Sequence, residues 1–425
     1  MDSVGEALRK LGEVEEMSAL SAAGFAPPGR QKINSHVHLP PNFSAFQSVE
    51  QAVDLAADEG VGVLGASNYY HYGVYADFAA HARKRNVFPL FGLEVIALVD
   101  ELRRRNVRVN DPVNPGKMYL CGKGITRFEE MSREARKLLG IIRRNDSRRM
   151  AEMIERLSEV FASRGLNTGL DEDAVIDMVV RRIACARQWV YLQERHVAQA
   201  FQEALFRLVE KEERTERLSG VLDAPTSAAP DDAVRVQGEI RSHLMKVGKP
   251  AYVQETFVDF AQAYRLILAL GGIPCYPTLA DGAKTVTEYE QDVERLINQL
   301  RSGNIHCAEF IPVRNTPEVL ARYVKCMRQS GLVVTAGTEH NTLDVLAIEP
   351  TCTGGQPIPE EIQDIFWEGA CVVAAHQFLT FHGRCGFVDQ GGNPKAAYGT
   401  PERRIEAFRT LGAAVIRRYH ESNGE

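Results

Sequence analysis

Short, almost unbroken apolar runs punctuate the chain and alternate with longer stretches of helical period. The runs fall at Ile33–Leu39, Val61–Asn68, Val87–Leu98, Met118–Cys121, Gly272–Leu279, His306–Val313 and Leu332–Glu339. Their length and bounding turn residues mark them as strands. Between them, sets such as Val49, Ala52, Val53 and Ala56, or Tyr289, Val293, Leu296, Ile297 and Leu300, repeat as one face of a helix. Strands that are apolar on both faces, each followed by an amphipathic helix, argue for a parallel sheet covered by helices. Seven runs suit a closed barrel better than an open sheet. The expected fold is therefore α/β, a distorted parallel (β/α)7 barrel.

One long stretch breaks the alternation. From about Thr126 to Met245 the chain is charged, helical in period and almost without strand signal. The segment DEDAVIDMVVRRIACARQWVYLQERHVAQAFQEALFRLVEKEERTERL predicts one or two long amphipathic helices. VLDAPTSAAPDD reads as a linker, and a further helix is expected from near Asp232. SAAGFAPPGR, just before the first strand, is a lead-in of small residues and proline. The expected layout is an N-terminal extension over 1–32, barrel residues over 33–125, a helical insertion over 126–245, and the rest of the barrel with C-terminal helices over 246–425.

Composition narrows the function classes. A net charge of −6 gives no overall basic field, so neither long nucleic acid nor an anionic membrane is an expected partner. An anionic substrate would need a local site. No apolar run approaches the ~20 residues that span a bilayer, and the charged N-terminus lacks a signal-like apolar core, so a cytoplasmic protein is expected. The eight cysteines contain no CxxC pair, which predicts reduced thiols and no zinc ribbon.

Candidate chemistry begins in INSHVHLPP. Side chains two apart on a strand share a face, so His36 and His38 project together just before a Pro-Pro turn. Paired imidazoles at the C-terminal end of a first barrel strand suit Zn, Mn or Fe. Three other strand ends carry polar groups in the same topological place: Asn68, Glu94, and Glu339 with His340. Glu94 stands out because a carboxylate inside an apolar strand is costly unless it is paired or bound to a metal.

The set resembles the polymerase-and-histidinol-phosphatase (PHP) superfamily of metal-dependent phosphoesterases. NSHVHL is similar to its Asp-x-His-x-His motif, FGLEV to Gly-x-Glu, ALGGIPCYPTLA to a Gly-Gly segment ending in Ala-His-Pro, and AGTEHN to Gly-Ser-Asp-x-His. In the insertion, QERHVAQAF resembles an Arg-Pro-His-x-Ala run and GKPAYVQETF a Pro-Ala-Tyr-Val run, both of a branch of nucleoside bisphosphate and oligonucleotide 5′-phosphatases. The motifs occur in family order from Ile33 to about Asp344. Several positions depart from the pattern. Asn34 stands for the first Asp, and Ser67-Asn68-Tyr69 stands for Thr-Asp-His. Met118 stands for a His before a Leu-Gly pair, and Cys275-Tyr276-Pro277 for Ala-His-Pro. In the last motif Glu339 replaces Asp, His340 comes one place early, and Asn341 stands where the His should be. Family members hold up to three metals with these groups. The retained His36, His38 and Glu94, with Glu339, imply a single divalent ion.

Other groups could complete such a site. His71 lies two residues past the lost His, although a loop histidine among tyrosines explains it equally well. Tyr69, Tyr70, Tyr72 and Tyr276 would surround the site with phenols, or simply pack. Arg195, His196 and Arg314 are candidates to hold an anion, against a plain surface role for the first two. His376 and His382 read as structural. The expected function is a metal-dependent hydrolase of a small phosphorylated or otherwise anionic substrate, with metal-activated water as nucleophile. Two alternatives stand beside it. One is a catalytically degenerate relative that binds a sugar or phosphorylated ligand. The other is an amidohydrolase-type barrel, whose bridging Lys and later His residues are not evident.

Overall fold

The computed structural model describes residues 4–423 and divides the chain into two compact units. The first comprises Met1–Leu39, Ser48–Leu139 and Val258–Glu425; the second comprises Pro40–Gln47 and Gly140–Phe257.

The first unit is built on β1 (Lys32–Val37), β2 (Val61–Ala66), β3 (Phe88–Leu98), β4 (Lys117–Lys123), β5 (Val258–Asp259), β6 (Ile273–Thr278), β7 (Cys307–Phe310) and β8 (Val333–Ala336). They pair in the order β1-β2-β3-β4-β6-β7-β8, with the two-residue β5 attached to the far end of β3. The sheet curls until it nearly closes. Past β8 the chain returns to β1 through a bridge between Val37 and Glu339, where His38 N donates to Glu339 O at 2.8 Å and Glu339 N donates to His36 O at 2.9 Å. Each apolar run of the sequence supplies a strand, and the helices between them cover the outside.

The sheet is not wholly parallel, as the apolar pattern led us to expect. β4 runs antiparallel to both β3 and β6. The connection between β3 and β4 explains this. It spans residues 99–116 but holds only a five-residue helix, Asp100–Arg104, whereas a parallel crossover usually runs back along the sheet as a longer helix. β4 is therefore laid down as the return arm of a long hairpin, with Leu98 opposite Lys117 and Gly92 opposite Lys123.

Close approach of backbones fixes the walls around β1. A Cβ added to Gly65 would lie 2.5 Å from Ser35 O, and one added to Gly337 would lie 2.3 Å from His36 Cβ. Below the sheet runs the helix Glu360–Phe381, apolar around most of its surface and buried accordingly. Its two buried polar side chains are satisfied by barrel backbone. Gln377 accepts from Phe91 N and donates to Pro89 O, while His376 Nε2 donates to Gly271 O at 2.8 Å and its Nδ1 accepts from Phe387 N. Burial lowers the His376 pKa to about 4. The residue is a neutral structural group.

The second unit is helical around its own core, which includes Met153, Leu157, Phe161, Val175, Phe201 and Leu205. The segment expected to form one or two long helices is cut into three, Glu172–Ile183, Glu194–Leu208 and Arg214–Leu222. The first ends at Ala184, in the left-handed region, and the second restarts on a capping box between Gln193 and His196. Asp232 caps the helix Ala233–Ile240 by accepting from Arg235 N. None of the eight cysteines forms a disulfide.

Because Gly337 is held against His36 with no room for a methyl group, Gly337→Ala should cost about 1–3 kcal/mol, as overpacked sites do. Thermal denaturation followed by circular dichroism should show a lower midpoint, whereas Gly29→Ala, at a position with nothing within 4 Å and no positive φ, should show a smaller change.

Candidate metal centre

β1 is buried along all but its first residue, so each side chain on it needs a partner. Asn34 spends its amide on two acceptors, Thr338 Oγ1 at 2.7 Å and Ile348 O at 2.8 Å, and accepts from His36 N. A carboxylate there could not make the two donations. His36 and His38 alternate with Ser35 and Val37 and face the barrel interior. Glu94 reaches them from β3, set by a parallel bridge between Tyr69 and Glu94.

Three ligand atoms converge. His36 Nε2 lies 3.4 Å from His38 Nε2 and 3.6 Å from Glu94 Oε2, and His38 Nε2 lies 3.1 Å from Glu94 Oε2. Ligands around a tetrahedral ion at bond lengths of about 2.0–2.2 Å stand roughly 3.4 Å apart, so these spacings fit one ion. Glu94 Oε2 is buried with no hydrogen-bond partner, which is the state of an atom waiting for a cation. Two imidazoles and a carboxylate form a borderline donor set suited to Zn, Mn or Fe.

Next to this trio sits an ion pair that the sequence reading passed over. Glu309, at 0% exposure, accepts from His36 Nδ1 at 2.7 Å through Oε2. Through Oε1 it accepts from Lys123 Nζ, which also donates to Ser35 O at 3.1 Å. Burial alone would raise the Glu309 carboxyl, but Lys123 and His36 hold it down to about 2. Cys121 lies close enough to His36 and Glu309 for the three to suggest a second cluster. Burial pushes the Cys121 thiol well up, however, and the Lys123 ammonium already supplies positive charge to Glu309. The signal that exposed Glu94, a carboxylate in an apolar strand, was equally present in CAEF of β7.

Glu339 forms a two-point ion pair with Arg314, with one arm at 3.1 Å, and accepts from Asn341 Nδ2 at 2.6 Å. Arg314, His36 and His38 lower its pKa against the opposing effect of burial. Among the described residues it is not part of the converging trio. His340 uses both ring nitrogens in its own loop, on Thr338 Oγ1 and Leu346 O. Asn68 clasps the backbone of Leu39, accepting from its N–H at 2.8 Å and donating to its carbonyl at 2.9 Å. It thereby fixes the strand end that carries His38. His71 accepts from Gly73 N in the following turn. Tyr69 stacks on His38, with ring centroids 5.2 Å apart and planes 4° from parallel. Burial, with Glu94 and Tyr119 nearby, raises the Tyr69 pKa well above its ordinary value. Tyr119, on β4, went unnoticed in the sequence.

Arg195 and His196 belong to the second unit. Arg195 is half-buried in the first turn of the helix Glu194–Leu208. His196 is buried, its Nδ1 accepting from Gln193 N in the helix cap. Burial, reinforced by Arg182, lowers its pKa to about 3. The cap takes up the ring that the sequence suggested for catalysis.

No family model matches this chain, and no curated protein matches it. Two solved structures are similar to this chain over most of its length. One is an amidohydrolase from Chromobacterium violaceum with bound sulfate and no metal. It is 17% identical, over 79% of this chain and 96% of that one, with a TM-score of 0.49. The other, from Bifidobacterium adolescentis, is described provisionally as a metal-dependent phosphoesterase. It is 14% identical, over 79% of this chain and 95% of that one, with a TM-score of 0.50. At 14% identity the second likeness concerns the fold alone, and we rest nothing on the looser first one.

Tyr276, where the PHP resemblance placed a His, donates instead to the buried carboxylate of Glu290 at 2.7 Å. Leu279 N and Ala280 N donate to the same group. Burial outweighs these bonds and raises the Glu290 pKa to about 7 from an ordinary 4.5. The folded state thus holds this proton more tightly than the unfolded chain, so the stability it contributes is complete below pH 4.5 and is lost as the pH rises to about 7. Across that window, the wild-type melting temperature should fall relative to that of Glu290→Gln, which cannot titrate. Parallel curves for the two proteins would show that Glu290 does not titrate there.

Proposed function

We propose that this protein is a metal-dependent hydrolase of the PHP type, acting on a small phosphorylated or similarly anionic substrate with one divalent ion. The convergence of His36 Nε2, His38 Nε2 and the unpartnered Glu94 Oε2 carries the reading. These three side chains would hold the ion, which when bound supplies Lewis acidity and an activated water.

The chain's own groups would do the rest. Arg314 keeps its charge: burial would lower its pKa, but Glu339 raises it further. Its guanidinium spends two N–H bonds on Glu339, which orients it, and its remaining donors would receive the anionic end of the substrate. Tyr69 retains its phenolic proton and hydrogen-bonds to Glu94, which would hold that carboxylate in place beside the ion. Its ring, laid flat on His38, also shields the ligand from water.

Purified protein, stripped and dialysed against Mn or Zn, should retain about one equivalent, and His36→Ala and Glu94→Gln should each lose it. With Mn present, hydrolysis of aryl phosphate esters should fall at least about 100-fold in Glu94→Gln, as expected when metal activation of water is removed. A wild-type protein that takes up no metal would sink the proposal. Tight metal binding with no turnover of phosphate esters, amides or lactones would instead favour a ligand-binding role.

A further inference from the structure

The barrel interior holds a closed circuit of contacts that the three ligands alone do not need. His36 Nδ1 meets Glu309 Oε2 at 2.7 Å, Glu309 Oε1 meets Lys123 Nζ, and Lys123 Nζ returns to Ser35 O, the residue next to His36, at 3.1 Å. The circuit links β1, β7 and β4, and all three side chains are at most 2% exposed. We propose that Glu309, pinned by Lys123, is a positioning residue that keeps the His36 proton on Nδ1 and presents the bare Nε2 to the metal. The metal half of this inference rests on the metal-dependent reading above.

An ionised carboxylate can only accept a hydrogen bond, so the 2.7 Å contact requires His36 Nδ1 to be the donor. Nε2 is then left with its lone pair, and it is this atom that stands 3.4 Å from His38 Nε2 and 3.6 Å from Glu94 Oε2. Turning the ring over would break the Glu309 contact. Lys123 engages the other carboxylate oxygen and so limits rotation of Glu309 as well. A carboxylate that orients a metal-binding imidazole through its second nitrogen is a recurrent device, and its loss weakens metal binding about 10–100-fold.

The first measurement needs no variant. Imidazole ¹⁵N spectra of the metal-free wild-type protein should show a proton on His36 Nδ1 in a strong hydrogen bond; an unprotonated Nδ1 would overturn the proposal. Equilibrium dialysis against Zn and Mn should then give Glu309→Gln a dissociation constant about 10–100-fold higher than wild type. Since that variant leaves Lys123 buried without a carboxylate, the double variant Glu309→Gln with Lys123→Met, which removes both charges, provides a folded comparison. It should remain weakened. Wild-type affinity in either folded variant would overturn the positioning role. If the wild-type protein binds no metal, the proposed function fails, and the ¹⁵N spectrum still decides the placement of the proton.

Discussion

Glu309 lies between an ammonium and an imidazole with no access to water, and a charge so placed constrains everything around it. Removing such an ion from solvent costs several kcal/mol, recovered only with close partners in good geometry. Lys123 and His36 provide them from two other strands. The antiparallel course of β4 makes the first possible. Cys121 faces Glu94 and Lys123 faces Gly92, two residues deeper along β3. A parallel β4 would have carried its last residues toward the mouth, leaving Glu309 without its cation. The antiparallel pairing of β3 and β4 thus bears on the electrostatics of the barrel core.

Above this pair the site is small. Several positions at which the PHP resemblance expected further ligands are committed elsewhere. Asn34 ties β1 to Thr338 and Ile348, Tyr276 serves Glu290, and Asn341 donates to Glu339. Each replacement makes a bond that the family's Asp or His would not make in the same way. The side chains are therefore parts of a different set of contacts around the cluster of His36, His38 and Glu94. Arg314 and Glu339 border that core as an oriented pair of opposite charges, and Tyr69 covers His38.

The two units differ in how they hold their polar groups. In the first, buried histidines are satisfied by backbone, as with His376, or by a carboxylate, as with His36. In the helical unit, His196 is absorbed into a helix cap. A histidine in a motif-like sequence can thus join a candidate metal cluster, act as a strut or form a cap, and its neighbours on other elements decide which.

What the sequence determined by itself was whatever depends on local periodicity. The apolar runs marked the barrel strands, period-two alternation placed His36 and His38 on one face, and an isolated carboxylate in an apolar strand singled out Glu94. The helical stretch was legible too, but not its breaks at Ala184 and Gln193, because capping contacts outweigh continuous helical period. Only the tertiary structure decided which distant groups meet. The direction of β4 is set by its pairing with β3 and β6, which no local pattern shows. The union of Lys123, Glu309 and His36 depends on three strands separated by up to 273 residues, and no local pattern encodes it. The partners of Glu339 and Tyr276 were hidden for the same reason: a side chain's electrostatic environment is a property of the fold, whereas its face on a strand is a property of the chain.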